Sequence, residues 1–583
     1  MKTQYKEPRF DNFRQLLRYA ARRYARRPAF KLTVPPVNRA NVSKTAQAKA
    51  NTQSRQLTIS YRQLETAYDR LCTFMLNAGL QGRRIAISGR NSYEWTLAYL
   101  AAATVGVAVP LDRDLAVADQ NDFLLAADCS VLCTDRPQQA QEWSAAAPSG
   151  QLRLIVPFKE LGLLGQGRPY RIGPWCASEP APADPVRVNA IPLPADQLQV
   201  LIFTSGTTGH SKGVCLSQAN ICADIHSTIS VVRVTPTDHT LSVLPLHHTY
   251  ECTLNCLLLL SRGACISYLS TLSRLSQDLQ ATRPSLLVVV PELLQFLSRR
   301  IQKTLQQSVP QRYRGSFASL SLAEALRRLP WPLRLICRYK VRQALGGRLR
   351  LFIVGAAKLE PALVRDFLAL GIRTLQGYGL TECAPLVAGN HDFYLNPAST
   401  GVAIPGIEMK IDRPDSQGVG QILTRGANVM LGYFEDPDAT RAAFKDGWFC
   451  TGDLGRLGPD GELYITGRQK NVIVTDNGKN IYPEELETRL GQCPEIGEVL
   501  VLAGQQRSRV CVRAKILPDL DWIKQQLGHL PTLEEAREAV ERAVAAVNDR
   551  LPTYKRVQMI EILTEALQKT TTRKIRRCGD NLA

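Results

Sequence analysis

The densest concentration of potential chemistry follows a short apolar run. Residues 200–203 read as a buried strand. The run breaks into Thr204, Ser205, Gly206, Thr207, Thr208 and Gly209, with Lys212 and Gly213 just beyond. Hydroxyls and glycines packed this closely are suited to wrapping backbone N–H and side-chain O–H donors around phosphate oxygens. Glycine lets the backbone approach a ligand and take positive φ. Lys212 adds a compact positive charge. The spacing is not Gly-x-x-x-x-Gly-Lys-Ser/Thr, so this is not a Walker A loop. A Gly/Ser/Thr cluster alone reads equally well as a polar surface turn; Lys-Gly at this distance favours phosphate.

Further polar groups sit where other apolar runs end. Residues 350–354 run into Gly355, Ala356 and Ala357. Residues 374–376 run into Gly377-Tyr378-Gly379-Leu380-Thr381-Glu382. Small residues at one strand end and an aromatic at the next can sandwich a flat heterocycle. Thr381 can contact a phosphate, and Glu382 offers a hard oxygen ligand for Mg²⁺. The stretch 447–453 is expected to hold Asp453 in a turn, suited to gripping a ribose diol. A strand expected at 242–246 ends in Pro245-Leu246-His247-His248-Thr249-Tyr250-Glu251. Open α/β sheets bind ligands at the carboxyl ends of their strands. Structural and functional readings of these histidines weigh equally.

The elements that must position these groups follow from periodicity. Asp11 or Asn12 can cap a helix with Phe13, Leu16, Leu17, Ala20 and Tyr24 on one face, stopped by Pro28. Ser60 opens a second helix. Residues 85–87, 107–111, 131–133 and 154–156 read as strands, with a helix over 95–104. This alternation predicts βαβ units and a largely parallel, doubly wound α/β sheet. Residues 34–56 read as an exposed polar loop and 174–196 as a Pro/Ala-rich linker. From about 401 the pattern turns β-rich up to Arg468. Residues 470–583 read as a separate small α+β domain: a hairpin over 472–481, a helix from Pro483, a strand at 499–502 and a long helix over 532–550.

Composition narrows the function. A chain of 583 residues with 45% hydrophobic content is globular and has more than one domain. The first ten residues are charged and lack an apolar core, so no secretory leader is expected. No apolar run reaches membrane-span length. Fifteen cysteines without any Cys-x-x-Cys suggest reduced core thiols in a cytoplasmic protein rather than zinc or disulfides. The net charge of +20 is concentrated. Residues 1–30 carry nine Lys/Arg against two acids, and residues 299–350 carry thirteen against one, Glu324. These stretches read either as solvated helix faces or as surfaces drawn to something anionic: a membrane, a nucleotide or CoA, or an acidic carrier protein. Nucleic acid is not supported, because no such motif is present.

Taken in order, these motifs resemble the acyl-adenylate-forming (AMP-binding) superfamily. Asn91-Ser92-Tyr93-Glu94-Trp95, the 377–382 stretch and Asn480-Ile481-Tyr482-Pro483-Glu484-Glu485 are most similar to the long-chain fatty acid–CoA ligases. The resemblance implies a large N-terminal domain over 1–469 and a mobile C-terminal domain over 470–583, with Lys470 at the hinge. It implies that 204–209 and Lys212 hold the ATP phosphates. Gly355, Ala356, Ala357, Gly377, Tyr378 and Gly379 would line the adenine pocket, and Thr381 would meet the α-phosphate. Glu382 and Thr204 would serve Mg²⁺. Asp453 and Arg468 would hold the ribose. His248, Tyr250 and Gly379 would border the acyl group, and Gly478 the pantetheine of CoA. Lys574 would be the lysine of the adenylation step. Two positions near Lys574 depart from the family pattern: Gln568 replaces the usual Pro, and Arg573 the usual Gly. The expected activity is ATP-dependent activation of a carboxylic acid, a medium- or long-chain fatty acid, as acyl-AMP with release of pyrophosphate, followed by transfer of the acyl group to the CoA thiol. The alternatives are transfer to an acyl carrier protein and a catalytically silent adenylate-binding protein. The aspartate that amino-acid-activating relatives use has no counterpart beside 249–251.

Overall fold

A computed structural model describes residues 4–34, 55–139, 142–143, 154–158, 182–204, 211–475, 479–506, 509–569, 575, 577 and 581. They divide into two compact units. The first comprises residues 1–206, 210–407 and 426–442; the second comprises 207–209, 408–425 and 443–583.

The first unit contains two sheets. In one, the parallel strands Leu154–Pro157, Cys129–Thr134, Arg84–Ser88, Val107–Leu111 and Val200–Thr204 lie side by side in that order. Two antiparallel strands, Lys212–Leu216 and Gly432–Tyr433, extend its edge. Alternation of apolar strands with helices such as Tyr93–Val105, buried along its whole length, gives this layered arrangement. The second sheet has nine strands. Its parallel centre is Cys265–Tyr268, His239–Ser242, Leu286–Val289, Leu351–Val354 and Arg373–Gly379. Its edges are antiparallel: Pro28–Val34 with Arg55–Ser60 at one side, and Leu386–Gly389 with Val402–Ala403 at the other.

Local signals set the element ends. Asn12 and Ser60 cap the helices Phe13–Tyr24 and Tyr61–Asn77, each side chain accepting from a backbone N–H three residues on. Four helices follow Val289: Pro291–Ser308, Gln311–Ser319, Leu322–Arg328 and Trp331–Ala344. Leu294, Ile301, Phe317, Leu326 and Val341 from these helices share a core with Leu287, Val289, Phe352 and Phe367.

The second unit is β-rich at first. Gly420–Gly426 pairs with Trp448–Leu457, which pairs with Leu463–Arg468. A short hairpin, Ile473–Val474 with Asn480–Ile481, follows. Beyond it lies a three-stranded sheet, Ile496–Gln506, Arg509–Pro518 and Val557–Ile562. Helices Pro483–Leu490 and Leu533–Asn548 share its core through Leu486, Leu490, Val540 and Val544.

Four expectations are corrected. The strand expected over 242–246 is His239–Ser242 and ends where it was expected to begin. Pro245 lacks the amide that a continuing ladder needs, and Asn91 holds the departing chain instead, donating to Leu244 O and accepting from Leu246 N. The 174–196 linker contains a helix, Pro185–Ala190, capped by Asp184. Asp453 lies within the strand Trp448–Leu457, not in a turn. The expected loop 34–56 gives up its ends to strands, Val34 to Pro28–Val34 and Arg55 and Gln56 to Arg55–Ser60, which pair with each other; residues 35–54 and the first part of the linker lie outside the described residues.

Candidate functional site

In the first unit the phosphate-loop strands form a hairpin. Thr204 and Lys212 are directly opposed across it, and the Thr204 hydroxyl lies 3.4 Å from Lys212 O. Residues 205–209 between them lie outside the described residues. Strand pairing then brings a distant segment to Lys212. Gly432–Tyr433 adds to the hairpin's outer edge, and Phe434 N donates to Gly213 O. Lys212 Nζ sits 4.5 Å from the centre of the Tyr433 ring. The Tyr433 hydroxyl donates to Glu382 Oε1 at 3.1 Å. One tyrosine thus links the cation beside the phosphate loop to the carboxylate assigned to Mg²⁺.

Glu382 is held from several sides. It lies in a single 3-10 turn, Thr381–Cys383, after the strand Arg373–Gly379, and its carbonyl accepts from Met430 N at 2.8 Å. Asn428 Nδ2 donates to Cys383 O and Leu386 O, both at 2.8 Å. Asn220 Nδ2 donates to Ala427 O and Val429 O. Asp224 Oδ1 accepts from Leu386 N. Full burial raises the Asp224 carboxyl well above the ordinary aspartate value, and its Oδ2 has no hydrogen-bond partner. These contacts tie Glu382 and the residues just after it, 383–386, to 427–430.

The small residues assigned to adenine stand where side chains do not fit. A Cβ at Gly379 would lie 1.9 Å from Pro385 O, and one at Gly377 2.7 Å from Leu386 Cδ1. At Gly355 it would touch the Tyr250 ring at 3.0 Å. The Tyr250 hydroxyl lies 3.0 Å from Ile353 O and 3.2 Å from Val289 O, so it ties together the ends of two parallel strands. Its phenol is therefore committed to backbone, and only the ring is left to wall a ligand. Ala356 has φ of +70°. A non-glycine residue there costs roughly 1–2 kcal/mol, strain of the kind found at ligand sites.

His248 precedes the short helix Thr249–Glu251, and its ring lies 4.1 Å from that of His247. Burial pushes His247 down to about 4, which keeps it neutral. A π-helix, Cys252–Leu257, follows. Glu251 is fully buried and accepts from Ser242 and Asn255. Burial pushes its carboxyl up to about 8 despite these hydrogen bonds.

In the second unit Asp453 and Arg468 oppose each other across two strands, with Arg468 Nε 2.7 Å from Asp453 Oδ1. Gly452, at φ of +71°, kinks the strand where its register with Gly420–Gly426 shifts. That bulge re-aims the carboxylate that follows, which is 6% exposed. Lys470 lies in the 3-10 turn Gln469–Asn471. Gly478 and Lys574 lie outside the described residues; near Lys574, Lys569 and Ile575 pair as an isolated antiparallel bridge.

Tyr433, Asn428, Asn220 and Asp224 were missed from sequence. They lie far from the loop they support and carry no short-range spacing signal. Among the described residues no group of three His, Cys, Asp or Glu side chains is arranged to hold a metal, and every described cysteine is a free thiol. No described helix is long and apolar enough to cross a membrane.

Known proteins share this two-sheet α/β fold and its signature motifs. The profile of the AMP-binding enzyme family matches residues 38–434. Human long-chain-fatty-acid–CoA ligase 1 is 30% identical over 494 residues, 79% of this chain and 70% of that protein. Long-chain-fatty-acid–CoA ligase FadD15 of Mycobacterium tuberculosis is 28% identical over 545 residues, 86% of this chain and 87% of its own. ATP-bound MatB from Rhodopseudomonas palustris shares the fold at a TM-score of 0.71 and 23% identity, over 96% of this chain and 97% of that one. A Mycobacterium tuberculosis fatty acyl CoA synthetase gives 0.63 and 22%, over 97% and 96%. The chain belongs to the AMP-binding enzyme family, the acyl-adenylate-forming superfamily.

Proposed function

We propose that this protein is an AMP-forming ligase that activates a long-chain fatty acid and passes it to the thiol of CoA. The observation that carries this reading is the Lys212–Tyr433–Glu382 arrangement at the phosphate hairpin. The length and identity of the match to long-chain ligases support the acid and the acceptor.

The acid's carboxylate oxygen attacks the α-phosphorus of ATP. The bond from that phosphorus to the oxygen bridging the β-phosphorus breaks, and pyrophosphate leaves. Lys212 and the loop hydroxyls would hold the phosphates, and Asp453 with Arg468 the ribose. Lys574 would stabilise the charge that gathers at the α-phosphate. Glu382 and Thr204 are the residues that would hold Mg²⁺. Their donors are all oxygen, which fits a hard cation bound by one carboxylate together with substrate phosphates. When bound, the ion would neutralise phosphate charge. In the second half-reaction the CoA sulfur, having lost its proton, attacks the acyl carbon, and AMP leaves with the bonding pair. The Tyr250 ring and His248 would border the acyl chain, and Gly478 the pantetheine. Residues beyond Lys470 would turn between the two steps, so that one site serves both.

The test is ATP–pyrophosphate exchange across acids of increasing chain length, followed by addition of CoA or of holo-acyl carrier protein. Exchange with long acids and a CoA thioester are expected. Product only on the carrier would move the acceptor, and no exchange with any acid would remove the enzymatic reading.

A further inference from the structure

The helix Trp331–Ala344 presents an apolar ridge to solvent that catalysis does not use. Cys337, Val341 and the following Leu345 are buried in the core beneath it. On the opposite side Trp331 is 71% exposed, Leu335 50%, Ile336 49% and Tyr339 65%. At 3.6 residues per turn these four side chains fall within an arc of about 140°. Polar residues normally occupy such an outward face.

Every charge on this stretch of the chain is positive. Residues 325–359 contain no Asp or Glu. Lys340 and Arg342 on the same helix are exposed, as are Arg327 and Arg328 just before it. Arg334 and Arg338 fasten the helix to the body: Arg334 donates to Arg327 O and Leu329 O, and Arg338 to Ala369 O. The ridge is therefore held outward by hydrogen bonds and by its buried side together.

We propose that this ridge docks the protein on an anionic lipid surface, with Trp331, Leu335, Ile336 and Tyr339 entering the headgroup–acyl boundary and the neighbouring Lys and Arg meeting lipid phosphates. A helix with Trp and aliphatic side chains on one arc and cations beside it is built for that boundary. A second copy of this chain is a poor occupant, because docking would press two surfaces of the same positive sign together. An acidic carrier protein would answer the cations but not the apolar arc. The inference stands apart from the catalytic reading, although it would place the enzyme where long-chain acids partition.

Full-length protein is sedimented with phosphatidylcholine vesicles and with vesicles that also contain phosphatidylglycerol. Wild type is expected to bind the anionic vesicles, and less so as salt rises. The combined variant Trp331→Ser, Leu335→Ser, Tyr339→Ser should lower that partition at least about tenfold. Its ATP–pyrophosphate exchange without vesicles should stay at the wild-type level, which checks folding and reads the catalytic proposal separately. In a milder variant, Trp331→Phe, quenching of protein fluorescence by brominated lipid should fall. Failure of wild type to bind, unchanged binding of the triple variant, or unchanged quenching in Trp331→Phe would each overturn the proposal. So would loss of holo-carrier binding in the triple variant with vesicle binding intact.

Discussion

Replacing Tyr433 with Phe removes one hydroxyl and keeps the ring that Lys212 faces. Glu382 then loses the donor 3.1 Å from its Oε1. A hydrogen bond to a charged group contributes on the order of 1.5–3 kcal/mol. ATP–pyrophosphate exchange should therefore fall by about tenfold or more, with the melting temperature little changed. A large loss of thermal stability with exchange per folded molecule intact would show Tyr433 to be structural only. Glu251 makes a pH prediction. Its carboxyl titrates near 4.5 when unfolded and near 8 when folded. Between those values the folded protein holds a proton that the unfolded chain has released, so stability falls as pH rises. Burial lowers His239 and His247 to about 4, so their opposing contribution is complete by about pH 6.5. Glu251→Gln should lessen the decline that wild type shows from about pH 6.5 to 8; the buried Asp224 carboxyl, also raised, acts in the same direction. Denaturant titrations of both proteins at several pH values measure this; parallel curves would refute it.

At the level of elements, the strand Arg373–Gly379 and the turn after it carry Tyr378, Thr381 and Glu382, so the fit of that turn governs the site. Gly379→Ala would push a methyl group into Pro385 O. Backbone cannot yield as a flexible side chain does, so stability should fall by about 1–3 kcal/mol. The displacement also reaches Glu382, three residues on, and exchange should fall more than the loss of folded protein explains. Calorimetry and exchange on one preparation separate the two effects. The same scale shows why sequence reading misplaced two elements. The apolar run after Ser242 looks like a strand until Pro245 and the Asn91 hydrogen bonds take the chain away. Asp453 follows two glycines and a Trp-Phe pair that resemble a turn. The ladder with Leu463–Arg468 keeps that segment extended, and Gly452 absorbs the irregularity as a bulge.

For the whole molecule, the proposed reaction has two half-reactions at one centre, and these would require different groups at different times. Lys574→Ala should cripple adenylation yet spare thioester formation from supplied acyl-adenylate and CoA. Rapid-quench assays of each half-reaction test this, and equal loss of both would refute rotation about Lys470. The distribution of net charge belongs to this scale as well. The stretches 1–30 and 299–350 together carry an excess of 19 positive charges (7 + 12) of the chain's +20.

The amino-acid sequence by itself determined the fold class, the family resemblance, the helix caps and most strand positions. Each of these depends on neighbours within a few residues: an apolar run, a capping hydroxyl, a glycine where no side chain fits. Only the tertiary structure decided that Tyr433 reaches both Lys212 and Glu382, that Asn220 and Asn428 brace the carboxylate's turn, and that the Tyr250 phenol is taken up by backbone carbonyls. Those contacts join segments tens to hundreds of residues apart through sheet pairing and buried amides. Local spacing carries no trace of a partner that only folding brings within hydrogen-bond distance.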